Sequence, residues 1–322
     1  MTRDINANSS EEEYRQVGRG NFAPHTLCLP IIASKVKLQG GGLGEFYDLL
    51  LEDIEIAKDS LLERYEIAKA NSVSIAPTMY GSSYGIGTRD AETPEDFLKH
   101  CTFAIGFVGL YEAYEILTGR KFYDTEEDLE EAVKIVSTIN DKAKEYTEKY
   151  HLNFSSYGTP AESLVTKVMT TLKEVYGYQS DRDYVTNSFH VPVWEKMSIF
   201  RKIDIESRFS ELAPGGSIFH CEIDSVTTNV EASVKILQYA MEKNIPYFRF
   251  SHKTCTCVDC GYVLQAQFDV CPECGSTNVE MLATVTGYLV SELKRMNFGK
   301  QDEILHRCVL VDGNINNISE KR

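Results

Sequence analysis

The sequence lacks several features that would assign it to a broad class at once. None of its 322 residues lie in a run approaching 18 consecutive apolar residues, so we expect no transmembrane helix. The segment from Met1 to Glu13 has neither a basic nor an apolar stretch, so we expect no secretory signal. Basic residues are outnumbered, 33 Lys and Arg against 48 Asp and Glu, and the net charge of −15 disfavours general DNA binding. The overall composition, with 43% hydrophobic and 25% charged residues, is typical of a soluble globular protein.

Cysteine is clustered rather than spread along the chain. Five of the nine cysteines lie between Cys255 and Cys274, and the other four are scattered, at Cys28, Cys101, Cys221 and Cys308. An odd, clustered set without a signal peptide argues against a disulfide framework. It predicts reduced thiols, a cytoplasmic location and a metal site.

Two CxxC pairs, each followed by a glycine, predict where that metal site lies. Cys257 and Cys260 form the first pair, and Cys271 and Cys274 form the second after a spacer of ten residues. Such turns aim two thiolates at one centre, and four thiolates suit tetrahedral Zn²⁺ in a closed, structural zinc ribbon. A redox-active dithiol is the weaker alternative, because no thioredoxin-like context surrounds either pair. Cys255 is either an alternative ligand or a bystander, and we expect a bystander.

Apolar periodicity predicts alternating helices and strands, as in an α/β barrel or a wound α/β sheet. Residues 1–16 are polar and predicted to be disordered, and the clearest module boundary lies near Ser251. Predicted helices cover residues 45–70, 94–117, 125–150 and 230–243, with another starting at Pro160, and predicted strands cover residues 217–223 and 246–250.

Beyond the cysteine-rich segment the sequence reads TVTGYL, with Gly287 as its glycine, and then NFGKQDEILHR from Asn297 to Arg307. Alone, such a glycine indicates only backbone geometry. Together with the stretches CVDCG and CPECGSTNVE, however, these motifs resemble those of the anaerobic, class III ribonucleoside-triphosphate reductases. The resemblance continues upstream in the same order, through GRGN, TLCLPIIA, IGFVGLYE, YGTPAESL, YVTNSFHVP and GSIFHCEID, and spans about residues 17–308.

The resemblance implies an α/β fold, namely the second half of the ten-stranded barrel of glycyl radical enzymes with a small C-terminal zinc ribbon and glycine loop. On this basis we expect four segments. These are a disordered N-terminus at 1–16, the C-terminal half of the α/β barrel at 17–250, the zinc ribbon at 251–280, and the glycyl radical loop and tail at 281–322.

The resemblance also implies a reaction, the reduction of ribonucleoside triphosphates to 2′-deoxyribonucleoside triphosphates. A radical-SAM activating enzyme would remove a hydrogen atom from Gly287 and leave a glycyl radical. The radical would pass to a cysteine on a facing finger loop, and that thiyl would abstract the substrate's 3′ hydrogen before water leaves C2′. Formate is the expected reductant. Two residues depart from the family pattern: Thr284 replaces the usual Arg, which puts activase docking in doubt, and Cys28 replaces an Asn.

The radical-accepting cysteine of the family has no counterpart in this chain. It lies roughly twenty residues before the GRGN stretch, at or before Met1, and no cysteine precedes Cys28. We therefore expect a partner, an N-terminal half with the thiyl cysteine and the allosteric domain, and a homo-oligomer of the assembled enzyme. A split gene, an inactive remnant and a truncated sequence all stay open. A stand-alone glycyl-radical spare part or a zinc-ribbon interaction module would explain fewer of the motifs.

Further site residues are carried over from the matching motifs. Asn21, near the substrate ribose, and Glu222, on a strand facing the cavity, are expected to be catalytic. The simpler interpretation of Asn21 is a turn residue beside a glycine. Substrate-binding residues are expected at a helix N-terminus suited to phosphate and in the YVTNSFHVP stretch: Thr159, Ala161, Glu162, Ser163, Asn187, Ser188 and His190. The turn from Thr159 to Ser163 also fits a simple capping box. A lone histidine such as His190 is often structural.

Overall fold

The computed structural model describes residues 3–7, 9–10, 13–14, 18–80, 91–187, 190–223, 230–266, 268–283 and 293–308. In chain order the helices and strands of these residues are β1 (Asn21–Cys28), α1 (Leu29–Leu38), α2 (Leu43–Lys69), α3 (Pro77–Tyr80), α4 (Glu95–Leu98), β2 (Thr102–Val108), α5 (Leu110–Thr118), α6 (Glu126–Tyr150), β3 (Asn153–Gly158), α7 (Leu164–Tyr176), α8 (Ile199–Ser210), β4 (Phe219–Glu222), α9 (Val230–Glu242), β5 (Phe248–Ser251), β6 (Lys253–Cys257), β7 (Val263–Leu264), β8 (Val279–Ala283) and α10 (Phe298–His306).

The chain divides into two compact units, each assembled from separate stretches. The first unit comprises Met1–Val108, Ala113–Thr159 and Glu211–Gly216, and the second comprises Gly109–Glu112, Pro160–Ser210 and Ser217–Arg322. The division into a half-barrel, a ribbon and a radical loop stays a prediction.

The first unit is built on a parallel sheet with the order β1-β2-β3. The long helices α2 and α6 pack in this unit, and both were predicted from the sequence. Helix α2 buries Phe46, Leu50, Ile54 and Leu61, which lie four or seven residues apart on one face. Helix α6 starts after Thr125, whose hydroxyl accepts a hydrogen bond from the Asp128 backbone amide at 3.1 Å. These two predictions are confirmed.

The predicted helix over residues 94–117 is wrong. The structure has the short helix α4, the strand β2 and the helix α5 in that stretch. Six of the seven residues of β2 are buried, because the strand is central in its sheet. A strand buried on both faces is a continuous apolar run, and periodicity cannot separate such a run from a buried helix. Gly109, with φ +75°, takes the left-handed conformation between strand and helix that favours glycine.

The second unit contains the parallel pair β4-β5, the helices α7 to α10 and the ribbon strands. Side chains from α8, β4 and α9 form its main apolar cluster, which includes Ile203, Phe219, Cys221 and Ile236. The strands β6, β7 and β8 form an antiparallel sheet with the order β7-β6-β8. The predicted strands near residues 217–223 and 246–250 and the predicted helix over 230–243 correspond to β4, β5 and α9.

The α/β class is confirmed, but the described residues form no closed barrel. Strands β1 to β5 pair only in parallel, in one sheet of three strands and another of two. Closure of a barrel requires every strand to have two neighbours, and only β2 among these five has them in the described residues. No helix in the described part of the chain is long and apolar enough to span a bilayer.

Candidate functional site

The four cysteines of the two CxxC pairs converge on one point. The Sγ atoms of Cys257 and Cys274 lie 3.6 Å apart, those of Cys260 and Cys271 lie 3.7 Å apart, and all four lie within 4.8 Å of one another. Four sulfurs at about 2.3 Å from a tetrahedral Zn²⁺ would be separated by about 3.8 Å. These four residues could therefore hold a metal ion such as zinc. Cys255 is buried on β6 but is not part of the group.

The local backbone explains why each pair ends in glycine. Gly261 has φ +76° and Gly275 has φ +74°, a conformation that side chains rarely adopt. Their amides donate to the carbonyl oxygens of Cys257 and Cys271, both at 2.9 Å, and so close the two turns.

Asp259, inside the first CxxC turn, links that turn to the segment after the second. Its carboxylate accepts hydrogen bonds from the hydroxyl of Ser276 and, at 2.8 Å, from the side-chain amide of Asn278. These bonds lower the pKa of Asp259. Sequence reasoning missed this link, although the residues lie inside the CVDCG and CPECGSTNVE stretches.

Helix α10 places three charged side chains in the interior of the second unit. The side chains of Lys300 and Glu303 are fully buried and that of Arg307, just after the helix, is 3% exposed. Glu303 accepts from Lys300 Nζ at 2.6 Å and from Arg307 Nη2 at 2.8 Å. Burial would raise the pKa of Glu303, but the two cations outweigh it and hold the pKa below its ordinary value. We call these three residues the α10 charge cluster.

Two of the predicted site residues contact the α10 charge cluster. Glu222, on β4, accepts a hydrogen bond from Arg307 Nη1 at 2.9 Å. Asn187 donates from Nδ2 to Glu303 Oε2 at 3.1 Å. The structure therefore brings these two predicted residues to one buried cluster, while their roles stay predictions. No local pattern indicated this cluster, because charged residues on a helix are usually solvated.

His190 is held by structural contacts. Its Nδ1 lies 2.8 Å from Glu206 Oε2, and its ring stacks on Phe209 with centroids 4.1 Å apart. Glu206 also accepts from the backbone amides of His190 and Val191, at 2.8 and 2.6 Å. Burial alone would raise the pKa of Glu206, but the His190 ring, the Lys202 charge and the Val191 amide together outweigh it, so the pKa is lowered. These contacts agree with the structural interpretation of this histidine, and its substrate role stays a prediction.

The predicted phosphate turn does not form a capping box, which was the alternative interpretation of its sequence. Helix α7 begins at Leu164 rather than at Pro160, its N-cap is Ser163, and no side chain caps it. The hydroxyl of Thr159 instead lies 3.0 Å from the hydroxyl of Thr26. Local sequence matched the S/T-x-x-E pattern, but the partner of this threonine comes from a distant strand.

The other residues of that turn differ in exposure. Ala161 is buried, and Glu162 and Ser163 are exposed. Burial lowers the pKa of Lys300. The charge of Glu303, and to a smaller extent that of Glu162, opposes this shift. Whether the turn binds phosphate stays a prediction.

Three further predicted residues complete the set. Asn21 is the first residue of β1, is exposed, and precedes an irregularity in the pairing of β1 with β2. Gly287 and Ser188 lie outside the described residues. Their roles stay predictions.

Sequence reasoning also missed Glu112, a carboxylate buried at the start of α5. Both its oxygens accept from the Thr186 backbone amide, at 3.0 and 3.2 Å, and one accepts from the Thr186 hydroxyl at 2.8 Å. Burial raises its pKa to about 7, although these hydrogen bonds oppose the shift. Glu112 thereby ties α5 to the residue that precedes Asn187.

This raised pKa predicts a pH dependence of stability. A carboxyl with an ordinary pKa of 4.5 that titrates near 7 when folded retains its proton in the folded state between these values. Glu112 therefore contributes about 3 kcal/mol to the free energy of unfolding below pH 4.5. This contribution is lost as the pH rises through 7. We expect the free energy of unfolding of the wild type, relative to Glu112→Gln, to fall between pH 5 and 8 in urea titrations. Parallel curves for the two proteins would contradict this.

Comparison with known proteins identifies the family. The chain matches the sequence profile of the family described as anaerobic ribonucleoside-triphosphate reductase over residues 3–309. The enzymes of that name from Haemophilus influenzae and Escherichia coli are each 28% identical over 305 residues, covering 90% of this chain and 42% of the relative. The enzyme of phage T4 is 29% identical over 306 residues, covering 90% and 49%. The chain thus spans less than half the length of these curated relatives.

Solved structures agree on the fold. An anaerobic ribonucleotide reductase matches with a TM-score of 0.74 at 21% identity, over 91% of this chain and 45% of the other. The Thermotoga maritima enzyme, solved with dATP bound in its specificity site, matches with a TM-score of 0.69 at 22% identity, over 86% and 44%. The family profile extends over nearly the whole sequence, and the chain therefore belongs to the anaerobic ribonucleoside-triphosphate reductase family.

Proposed function

We propose that this chain is the glycyl-radical half of an anaerobic ribonucleoside-triphosphate reductase and needs a complementary N-terminal half to turn over. The observation that carries the proposal is the family match over residues 3–309, combined with coverage of only 42–49% of the curated relatives. The parallel sheet β1-β2-β3 of the first unit and the parallel pair β4-β5 of the second are each compatible with a half-barrel. The missing half would supply the other strands, the finger-loop cysteine and the allosteric domain.

The proposed chemistry uses Gly287 as the radical store. A radical-SAM activase takes one hydrogen atom from its α-carbon, and the backbone amide and carbonyl delocalise the unpaired electron. Glycine suits this role because it has no Cβ to obstruct a planar centre. The radical then takes a hydrogen atom from the finger-loop cysteine, whose thiyl abstracts the 3′ hydrogen of the ribonucleotide. Water leaves from C2′, and formate supplies the two electrons.

The described residues would divide the remaining tasks. Asn21 would act at the ribose and Glu222 would face the cavity. The turn with Thr159, Ala161, Glu162 and Ser163 would hold the triphosphate. Asn187 and His190, together with Ser188 outside the described residues, would line the substrate cavity. The zinc ribbon would be structural, because a four-cysteine site has no open coordination position. It would hold the base of the radical loop, since β8 ends at Ala283, four residues before Gly287.

The proposal also predicts the setting in which the protein acts. Nine free cysteines and an oxygen-sensitive radical suit a reducing, anaerobic cytoplasm. The partners would be the N-terminal half, the activase and a ribonucleoside triphosphate, and the assembled enzyme would be a homo-oligomer.

Recombination of the two halves tests the proposal. The chain is mixed anaerobically with a separately expressed N-terminal half from a family member, the activase with a one-electron reductant, SAM, formate and CTP. We expect deoxynucleotide to form only when both halves are present. No product from the mixture, under conditions in which the full-length relative is active, would favour an inactive remnant. Product from this chain alone would contradict the need for a second half.

A further inference from the structure

The α10 charge cluster is electrically balanced with Glu222. Arg307 and Lys300 supply two positive charges, and Glu303 and Glu222 supply two negative ones, all at hydrogen-bond distances between 2.6 and 2.9 Å. Removal of one member would leave an uncompensated charge in the interior, which is strongly destabilising. Replacement of an oppositely charged pair by neutral side chains of similar size is much better tolerated.

The cluster fixes the orientation of the Asn187 amide. A carboxylate only accepts hydrogen bonds, so the group within 3.1 Å of Glu303 Oε2 must be the NH₂ of Asn187. The carbonyl oxygen, Oδ1, therefore faces away from Glu303. Asn187 is 1% exposed, and its Oδ1 is buried without a hydrogen-bond partner among the described residues.

A second buried polar atom without a described partner lies in the same segment. The hydroxyl of Tyr184, three residues before Asn187, is also buried and has no hydrogen-bond partner in the described part of the chain. Burial raises the pKa of this hydroxyl, and the nearby charge of Glu303 raises it further. Buried polar atoms are almost always paired, so such atoms mark a place where a ligand or a bound water belongs.

We propose that Glu303 is a positioning residue that holds the Asn187 amide so that Oδ1 accepts a hydrogen bond from a hydroxyl group of the substrate sugar. The inference rests on the proposed function, which supplies a ribonucleotide as the ligand. It assigns a task to the NFGKQDEILHR stretch that the radical chemistry does not use. The helix that follows the predicted radical loop builds part of the substrate site.

A matched pair of double variants separates positioning from charge balance. The two double variants are Lys300→Met/Glu303→Gln and Lys300→Met/Glu303→Leu. Each removes one positive and one negative charge and leaves Arg307 paired with Glu222. Only the glutamine retains an acceptor for Asn187 Nδ2. Amide hydrogen exchange of α10 in the 322-residue chain checks that both variants keep the helix docked. Asn187→Ala removes Oδ1 directly and tests the same contact should either double variant release the helix.

The binding measurement compares CTP with 2′,3′-dideoxy-CTP, which lacks both ribose hydroxyls, on the chain recombined with the N-terminal half. We expect the wild type and the glutamine variant to prefer CTP to the same extent. In the leucine variant and in Asn187→Ala that preference should fall by about tenfold, the value of one hydrogen bond. If the leucine variant and Asn187→Ala both preferred CTP over the dideoxy analogue as strongly as the wild type does, the positioning role would be overturned. That result would indicate a buried water at Oδ1. A recombined wild type that binds no CTP and forms no deoxynucleotide would overturn the proposed function, and this inference with it.

Discussion

Replacement of Cys271 by serine should abolish zinc binding and unfold the ribbon, with the largest energetic effect of any single substitution considered. The ribbon has little apolar core of its own, since Val263 and Leu264 on β7 are 56% and 39% exposed. Metal binding in small zinc modules contributes about 10 kcal/mol or more to folding. Without it we expect the amides of β6, β7 and β8 to lose their protection from hydrogen exchange, while the sheet β1-β2-β3 keeps it.

Cys255→Ser is the matched control for this experiment. Cys255 lies two residues before Cys257 on the same strand and is buried, but it is not among the four converging cysteines. Metal analysis should find one zinc per chain in the wild type and in Cys255→Ser, and none in Cys271→Ser. Equal zinc content in the two serine variants would show that the ligand set is wrong.

Gly299→Ala should destabilise the second unit by about 3 kcal/mol or more, against the helical preference for alanine. Gly299 is the second residue of α10, and a Cβ at this position would overlap the Thr166 hydroxyl of α7 and the Asp183 carbonyl oxygen. Thr166 cannot simply rotate away without loss, because its hydroxyl donates to Asn297 Oδ1 at 2.7 Å. The same Asn297 oxygen caps α10 by accepting from the Lys300 amide at 3.1 Å.

Gly44→Ala provides the control. Gly44 is also the second residue of a helix, α2, but nothing lies within 4 Å of the position its Cβ would take. Urea unfolding should show Gly44→Ala equal to or up to about 1 kcal/mol more stable than the wild type. If Gly299→Ala proved as stable as Gly44→Ala, the close packing of α10 on α7 would be wrong.

The sequence allowed good prediction where a local pattern determines the structure. The apolar stripe of α2 and the threonine cap of α6 are local, and both helices lie where they were predicted. The convergence of the four cysteines was predictable for the same reason, because each CxxC turn with its glycine directs two thiolates to one centre. The family motifs added the order of segments, and the comparisons bear out the family.

Features that depend on distant partners could not be predicted. Strand β2 was mistaken for a helix because its burial comes from neighbours on both sides in the sheet. Thr159 fitted a helix cap, but its hydroxyl pairs with Thr26, more than a hundred residues away in sequence. Lys300 and Glu303 would normally be assigned to solvent, and only the fold shows that both are fully buried. The residue pattern within a single helix or strand does not show which distant residues it will contact.

The central claim is that Gly287 carries the radical, and anaerobic EPR spectroscopy tests it most directly. The chain is incubated with the activase, a one-electron reductant, SAM and the N-terminal half. Gly287→Ala is treated in the same way, as is Gly44→Ala as a control for alanine substitution. The unpaired electron of a glycyl radical couples to its one remaining α-hydrogen, so we predict a doublet in the wild type and in Gly44→Ala and none in Gly287→Ala. A doublet that persists in Gly287→Ala would contradict the account.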